Sequence, residues 1–382
     1  MNPSRRNLLI SAGGAGLALL GAGAAFAATR TPHRAIAPWQ VSPADDVRVH
    51  AFRHAILAPN PHNRQPWLIT LVGKDEALIH CDLQRRLPVT DPFDRQITIG
   101  FGCFLELARI AAAERGVSLA IGEFPEGMPD ASGRLDGRPI AHLKFAGEAR
   151  ADPLFGAIAI RRSVKEPFDT GRPVPSAAIE TLVASGSARA RARGTDDMAL
   201  VQDLRALTWT AWMVEANTRA AFKESVDLMR IGKAEIEANP DGIALGGPLL
   251  EAMALTGLLS REQMLNPASA AFRAGIDKYR PIIATAMGYG WIVTGTNTRG
   301  DQLEAGRVYV RLNLQAARAG LSIHPVSQAL QEFPEMAKVR SEVRSKLSLA
   351  EGETLQMLAR LGYAAPVMPS ARWPLESRIR TA

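Results

Sequence analysis

The hydrophobic and polar positions of this chain follow two periods, one helical and one of strands. Residues 45–57, DDVRVHAFRHAIL, place apolar side chains at helical spacing, with Asp45 and Asp46 at the end where the helix dipole favours negative charge. That helix must stop at Pro59. LITLV and ALIHCDL read as two strands joined through Gly73-Lys74-Asp75. After the turn-rich LPVTDPFDRQ, a helix is predicted from Gly100 to about Arg115, with Gly116 free to take the left-handed cap conformation. It is apolar almost all round, so it is expected to lie buried at the centre. Residues 122–137 are rich in Gly, Pro and Asp and read as a loop, and IAHLKFAG reads as a further strand.

The pattern restarts near residue 151. Residues 153–160 look helical and lead into AIRRSVKEPF, a helix opens at Ser176, and a long helical stretch covers about 196–237. Gly, Pro and Met break the pattern over 239–275, an insert expected to be either a mobile cover or a plain surface insertion. TAMGYGWIVTG reads as a strand, and helical patterning returns in DQLEAGRVYVRLNLQAARAG. The stretch GCFLELARIAAAERGVSL, Gly102 to Leu119, resembles GRVYVRLNLQAARAGLSI, Gly306 to Ile323. Both carry Gly at each end of the same span, an Ala-Ala pair, and a Ser two residues after the second Gly. The likeness points to a tandem duplication, against the alternative of chance between Ala-rich helices.

Before these elements stands MNPSRRNLLISAGGAGLALLGAGAAFAATR. Arg5-Arg6, an apolar run and Ala25-Phe26-Ala27 make a charged region, a hydrophobic region and an A-x-A cleavage site, so residues 1–27 read as a twin-arginine signal peptide. The implied partner is the twin-arginine export machinery, and the implied home is periplasmic or exported. The competing reading, a membrane anchor, is weakened by the Gly/Ala content, and no stable membrane span is expected. The net charge of +7 falls to +5 once Arg5 and Arg6 are set aside. The remaining basic residues are scattered without interleaved aromatics, which argues against nucleic acid as a partner. Cys81 and Cys103 could form one disulfide or remain two buried thiols, and the seven His show no HxxxH or HxH spacing, so no metal site is expected.

One stretch carries more chemistry than its place requires. APNPHNRQPW, residues 58–67, sets two prolines around a run of polar side chains at the mouth of a strand. It resembles the A-P-S-S-x-N-x-Q-P-W loop of the nitroreductase family of flavin enzymes, through Ala58, Pro59, Asn63, Gln65, Pro66 and Trp67. RRSVK, Arg161 to Lys165, resembles the family's R-R-S-x-R/K arm, and LARLGYAAPVMPSARWP resembles its L-G-Y…R ending. The family's dimers share each flavin between subunits, the arm from one and the loop from the other. Here the first half has the loop and no arm, while the second has the arm and only ASGSARARARG where a loop would fall. That layout looks like the Acg-type branch, as does RRLPVTDPFDRQ.

The resemblance implies an α+β, nitroreductase-like fold with two fused halves, 44–150 and 151–382, forming a monomeric pseudo-dimer around one flavin mononucleotide (FMN). It implies cofactor contacts from Pro59, Asn60, Asn63, Arg161, Arg162, Ser163, Lys165 and Arg372. Arg161, Ser163 and Arg372 suit the phosphate, because guanidinium offers a planar fork of charge-assisted donors. Lys165 suits stabilisation of negative charge on the reduced ring. Gln65 and Trp67 are expected to hold the loop on its strand, and His324 to make a structural bond rather than act as acid or base. Asn60-Pro61 departs from the family's Ser-Ser, and Pro61 has no N–H to offer. The implied activity is two-electron transfer to a small-molecule acceptor such as a nitroaromatic or quinone. The rival readings are an FMN storage protein with little turnover and a cofactor-free binding module.

Overall fold

In the computed structural model, residues 26 and 28–380 are described; Arg5, Arg6 and all of the signal-like segment but Phe26 lie outside them. The first helix, α1 (Val47–Ala55), opens where the Asp46 carboxylate accepts the Arg48 N–H at 2.8 Å. Strands β1 (Trp67–Val72) and β2 (Glu76–Cys81) follow, then α2 (Arg95–Glu114), β3 (Val117–Glu123) and β4 (Ala141–Glu148). The second half runs α3 (Ser176–Val183), β5 (Ala190–Thr195), a long interruption, β8 (Gly288–Thr294), α10 (Arg299–Arg318), β9 (Ser322–Pro325), α11 (Ala337–Lys346) and β10 (Thr354–Gly362). The interruption comprises α4 (Met198–Asn217), α5 (Arg219–Asp227), β6 (Met229–Ile231), α6 (Gly232–Ala238), β7 (Ile243–Leu245), α7 (Pro248–Leu255), α8 (Arg261–Met264) and α9 (Ala270–Ala284).

Two antiparallel sheets have the same order. The first runs β1-β2-β4-β3 and the second β5-β8-β10-β9, so each sheet places its strands first, second, fourth, third. A short strand from the tail, β11 (Ile379–Arg380), adds to the outer edge of β1 in parallel, pairing Ile69 with Ile379.

Helices α2 and α10 cross between the sheets and form the centre of the main core. They touch backbone to backbone. A Cβ on Gly102 would stand 2.0 Å from the Leu303 carbonyl oxygen, and one on Gly306 would stand 2.0 Å from that of Ile99. Ile99 and Leu303 each precede their own glycine by three residues, so the contact is reciprocal, as a twofold axis between like helices requires. Cys103 and Cys81 are free, buried thiols, and the Cys103 Sγ donates to the Gly306 carbonyl at 3.2 Å. The one helix among the described residues with the length and apolarity of a membrane span is α2, and 89% of it is buried in the protein.

Four elements differ from the sequence expectation. Helix α2 begins at Arg95 rather than Gly100, because the Asp91 carboxylate accepts the N–H groups of Gln96 and Ile97 at 3.0 and 2.9 Å and starts the helix inside the turn-rich segment. The stretch 196–237 is three helices and a strand, divided at Thr218 and at Gly232, whose φ is +76°. Residues 153–160 contain only the single turn Phe155–Ala157. ARARGT forms β5, with Ala190 and Ala192 buried between exposed arginines, an alternation carried by residues of low strand propensity.

Candidate functional site

The loop between α1 and β1 is bent by its backbone. His62, Asn63 and Gln65 have φ of 47°, 52° and 50°, in the left-handed region that non-glycine residues rarely occupy. Such conformations persist where surroundings enforce them. Gln65 is fully buried; its N–H donates to Asn60 Oδ1 at 2.8 Å, its Nε2 to the Pro240 carbonyl at 2.8 Å, and its Oε1 accepts the Trp373 N–H at 2.9 Å. Asn60 crosses α2 where Gly100 has no side chain: a Cβ there would lie 3.1 Å from that of Asn60. Trp67, fully buried, stacks on Phe104 with centroids 5.0 Å apart. Gln65 and Trp67 thus hold the loop, as expected.

The insert fastens this loop at one end. Asp241 accepts Arg64 Nη1 at 3.2 Å, Arg230 Nη2 at 2.8 Å and Arg85 Nη1 at 2.5 Å, and the Gly242 N–H donates to the Asn63 carbonyl at 3.3 Å. Asp241→Ala would leave Arg64 and Arg230 without a carboxylate, while Arg85 would keep Asp82 at 3.0 Å. We expect it to destabilise the protein by about 3–5 kcal/mol, the usual cost of removing one side of a buried ion pair. Urea unfolding followed by circular dichroism would measure the loss.

The arm and tail converge on Trp39, in the short turn Ala37–Trp39, and the loop joins them through Arg372. The guanidinium carbons of Arg161, Arg162 and Arg372 lie 5.4, 4.4 and 5.3 Å from the centre of its ring. Arg161 and Arg372 are 2% exposed, and none of the three forms an ion pair among the described residues. Arg161 Nη2 donates to the Leu57 carbonyl at 2.8 Å, while its Nε and Nη1 have no partner. The Nε atoms of Arg162 and Arg372 are likewise buried and unpartnered. Burial pushes Arg161 down to about 10, and burial together with Arg161 and Arg162 holds Arg372 well below its ordinary range. The cluster is a concentrated positive charge with spare donors and no anion supplied by the described residues.

Asn63 is committed to this cluster: its Oδ1 accepts Arg372 Nη1, and its Nδ2 donates to the Ala371 carbonyl at 2.9 Å. Asn60 spends its amide within the loop, donating to the Ala58 carbonyl at 3.1 Å. Pro59 is buried. Ser163 is half-buried and has no hydrogen bond among the described residues.

Beyond the arginines the arm turns toward a second group. The Val164 N–H donates to the Ile323 carbonyl at 2.9 Å, and Arg360 Nη2 donates to the carbonyls of Val164 and Glu166 at 3.1 and 2.7 Å. His324 Nδ1 accepts Arg360 Nε at 2.9 Å, so its bond is structural, as expected. Lys165, between the two braced carbonyls, is open to solvent and makes no hydrogen bond or ion pair among the described residues. It is ringed closely enough for burial to pull its ammonium down, an effect Glu215 opposes. Its charge also reaches His62 and His324, adding to the burial that holds both imidazoles low, His62 at about 3. Glu215, on α4, accepts Ser225 Oγ at 2.8 Å and Gln331 Nε2 at 2.9 Å, and burial pushes its carboxyl up. On the same helix Trp212 stacks on Tyr279 at 4.8 Å, whose ring stands 6.3 Å from His324.

Four buried or part-buried imidazoles set an acid limit. His50 is held at about 4, chiefly by burial and then by His54, and His54, His62 and His324 are also low. Their folded values lie below the unfolded 6.5, so the stability they contribute is present above pH 6.5 and is lost as pH falls toward 4 and below. Each well-buried imidazole removes up to about 1.4 kcal/mol per pH unit in that window. Asp91 and Glu215, pushed up by burial, offset part of this. Melting temperature is expected to fall between pH 6.5 and 4, and His50→Gln to flatten the slope.

Sequence reasoning missed Trp39, Glu215 and the segment Pro240–Gly242. Trp39 follows a proline in APWQ, beside the signal-like segment, and nothing in its spacing ties it to residues far downstream. At the corresponding place in the other half the loop after α3 is short, and its Arg189 is paired, 3.7 Å from Glu123 and 3.8 Å from Asp301. No free cluster of guanidiniums is seen there among the described residues.

No family model matches the chain. An "Uncharacterized protein" of Mycobacterium tuberculosis is 32% identical over 120 residues, a match spanning 30% of this chain and about a third, 34%, of that protein's length. A "Putative NAD(P)H nitroreductase" of the same organism is 26% identical over 343 residues, 84% of this chain and 90% of that one. Among solved structures, the FMN-dependent nitroreductase NfnB from Mycobacterium smegmatis, in complex with NADPH, is 16% identical and covers 58% of this chain and 94% of its own, with a TM-score of 0.36, too low to argue from. The chain thus has an α+β, nitroreductase-like fold and is similar over most of its length to a putative nitroreductase.

Proposed function

We propose that this chain is a flavoprotein oxidoreductase that binds one FMN between its two halves. The observation that carries the reading is the arginine cluster. Three guanidiniums, two of them fully buried, converge without a carboxylate and keep unpartnered N–H groups, the donor set a phosphate dianion requires. Arg161, Arg162 and Arg372 would hold the phosphate, with Ser163 beside them. The bent loop at Pro59–Asn63 would face the polar chain and ring, Asn60 and Asn63 acting through the loop shape they fix. Lys165 would supply positive charge where the bound group gains electrons. FMN, when bound, supplies two-electron chemistry toward nitroaromatic or quinone-like acceptors. The chain's own residues bind it, orient it and balance its charge.

The matching sheet orders and the reciprocal glycine contact support two fused nitroreductase-like halves, roughly 44–150 and 151–382, in one monomeric pseudo-dimer. The paired Arg189 supports a single working site. The twin-arginine segment supports export after folding with the cofactor in place. The test is a visible spectrum of the purified full-length chain incubated with FMN. Flavin absorbance retained through gel filtration is expected; its absence overturns the reading.

A second reading, FMN storage with little turnover, is favoured by the anchoring of the insert on the loop through Asp241 and Gln65. Anaerobic NADPH separates the two. Bleaching of the bound flavin supports an oxidoreductase, and a spectrum that yields only to dithionite supports storage or a different donor.

A further inference from the structure

Three guanidiniums surround Trp39, yet Trp39 belongs to neither the loop, the arm nor the tail. It comes from a segment that runs ahead of the first half. That segment comprises the helical turn His33–Ile36, the turn Ala37–Trp39, and the chain leading to α1. It is tied down at every step. Arg34 Nη2 reaches Glu237 Oε2 of α6 at 3.0 Å. The Ala35 carbonyl accepts the Arg372 N–H at 2.8 Å, and Trp39 Nε1 donates to the Ser370 carbonyl at 2.8 Å. Arg53 Nη1 holds the Pro43 carbonyl at 2.7 Å. Trp39 itself is 7% exposed.

We propose that residues 33–43 form a strap that closes the anion site, and that Trp39 is the positioning residue through which the site prefers a phosphorylated ligand. This rests on the flavin reading given above. Like charges in one buried place repel, and no described residue supplies a carboxylate to gather them. The Leu57 carbonyl accepts Arg161 Nη2 and Arg372 Nη2 at 2.8 and 3.2 Å, and among the described residues the indole ring lies near all three guanidiniums; attraction between a cation and an aromatic ring strengthens where water is excluded. Trp39 therefore holds the forks converged before a ligand arrives, which lowers the ordering cost of binding. Without it Arg162 loses its ring partner, and Arg161 and Arg372 keep only their hydrogen bonds to the loop and tail. A ligand lacking phosphate gains nothing from their convergence, so the loss should be confined to phosphorylated ligands. A bound dianion would in turn tighten the strap, because it joins the forks that pack on Trp39.

The experiment is binding of FMN and of riboflavin to the full chain stripped of flavin, followed by quenching of flavin fluorescence. The wild type should prefer FMN strongly. Trp39→Leu should cut the FMN-over-riboflavin preference about ten-fold or more, with little change for riboflavin, and Trp39→Phe should keep most of it. A Trp39→Leu chain with the wild-type preference overturns the proposal. A wild type with no preference for FMN overturns the flavin reading instead. Should Trp39→Leu not fold, trypsin cleavage of the wild type at Arg34 decides. FMN, and not riboflavin, should slow that cut, and equal rates in all three states overturn the strap.

Discussion

Gly306→Val is expected to leave no folded protein. The new Cβ would sit 2.0 Å from the Ile99 carbonyl oxygen and 2.8 Å from the Gly102 Cα, and both are helix backbone that no rotamer change can move. Helices α2 and α10 would have to part, and they hold the core of both halves. Overpacking with flexible neighbours costs about 1–3 kcal/mol, and a rigid clash at a central crossing costs more, against a total stability of about 5–15 kcal/mol. Gly102→Val should behave alike, because its Cβ meets Leu303 and Gly306 in the same way. Gly116→Ala is the control: its φ is +73° but nothing lies within 4 Å, so it should cost only about 1–2 kcal/mol of left-handed strain. Soluble yield and circular-dichroism melts of the three variants measure the contrast.

Arg161→Met should move stability and binding in opposite directions. The guanidinium is buried, accepts no help from a carboxylate, and makes one hydrogen bond, to the Leu57 carbonyl. A buried charge so poorly compensated is a liability to the empty protein, and an apolar side chain of similar length relieves it. The flavin-free variant should therefore melt at or above the wild-type temperature. FMN affinity should fall about 100- to 1000-fold, equivalent to roughly 3–4 kcal/mol, the loss expected for a desolvated charge-assisted contact. Riboflavin affinity should change little. Paired calorimetric melts and titrations test both halves of the expectation. A variant that melts lower and binds FMN unchanged would show Arg161 to be a structural residue.

Much of this was legible in the sequence. Helix α1 and strands β1, β2, β4 and β8 stand where the sequence pattern placed them: β2 and β4 alternate between a buried and a more open face, and β8 is a short apolar run buried throughout. The Gly102 and Gly306 stretches flagged an internal likeness, and the structure gives its physical cause, a helix crossing too close for any side chain. Strand β5 was hidden because Arg, Ala and Gly supply alternation without strand propensity. The start of α2 was hidden because its cap comes from Asp91, four residues ahead of Arg95, within what reads as a turn. In the candidate site, Arg161, Arg162, Arg372 and Asn63 could be picked out by motif and are brought together. Trp39, Glu215 and Asp241 could not, since each reaches its neighbours only through tertiary packing from segments without a pattern of their own.

The tail gives the protein an order of events. Strand β11 closes the edge of the first sheet, and Arg372, just ahead of it, completes the arginine cluster. Both are translated some three hundred positions after the β1 strand they finish. During synthesis the first half must therefore wait, with one sheet edge bare and its ligand site missing a wall, while the second half emerges. Capture of the proposed cofactor then has to follow the emergence of the second half. It would also serve as a check that the tail and the first half have found each other, which the proposed export in the folded state would require.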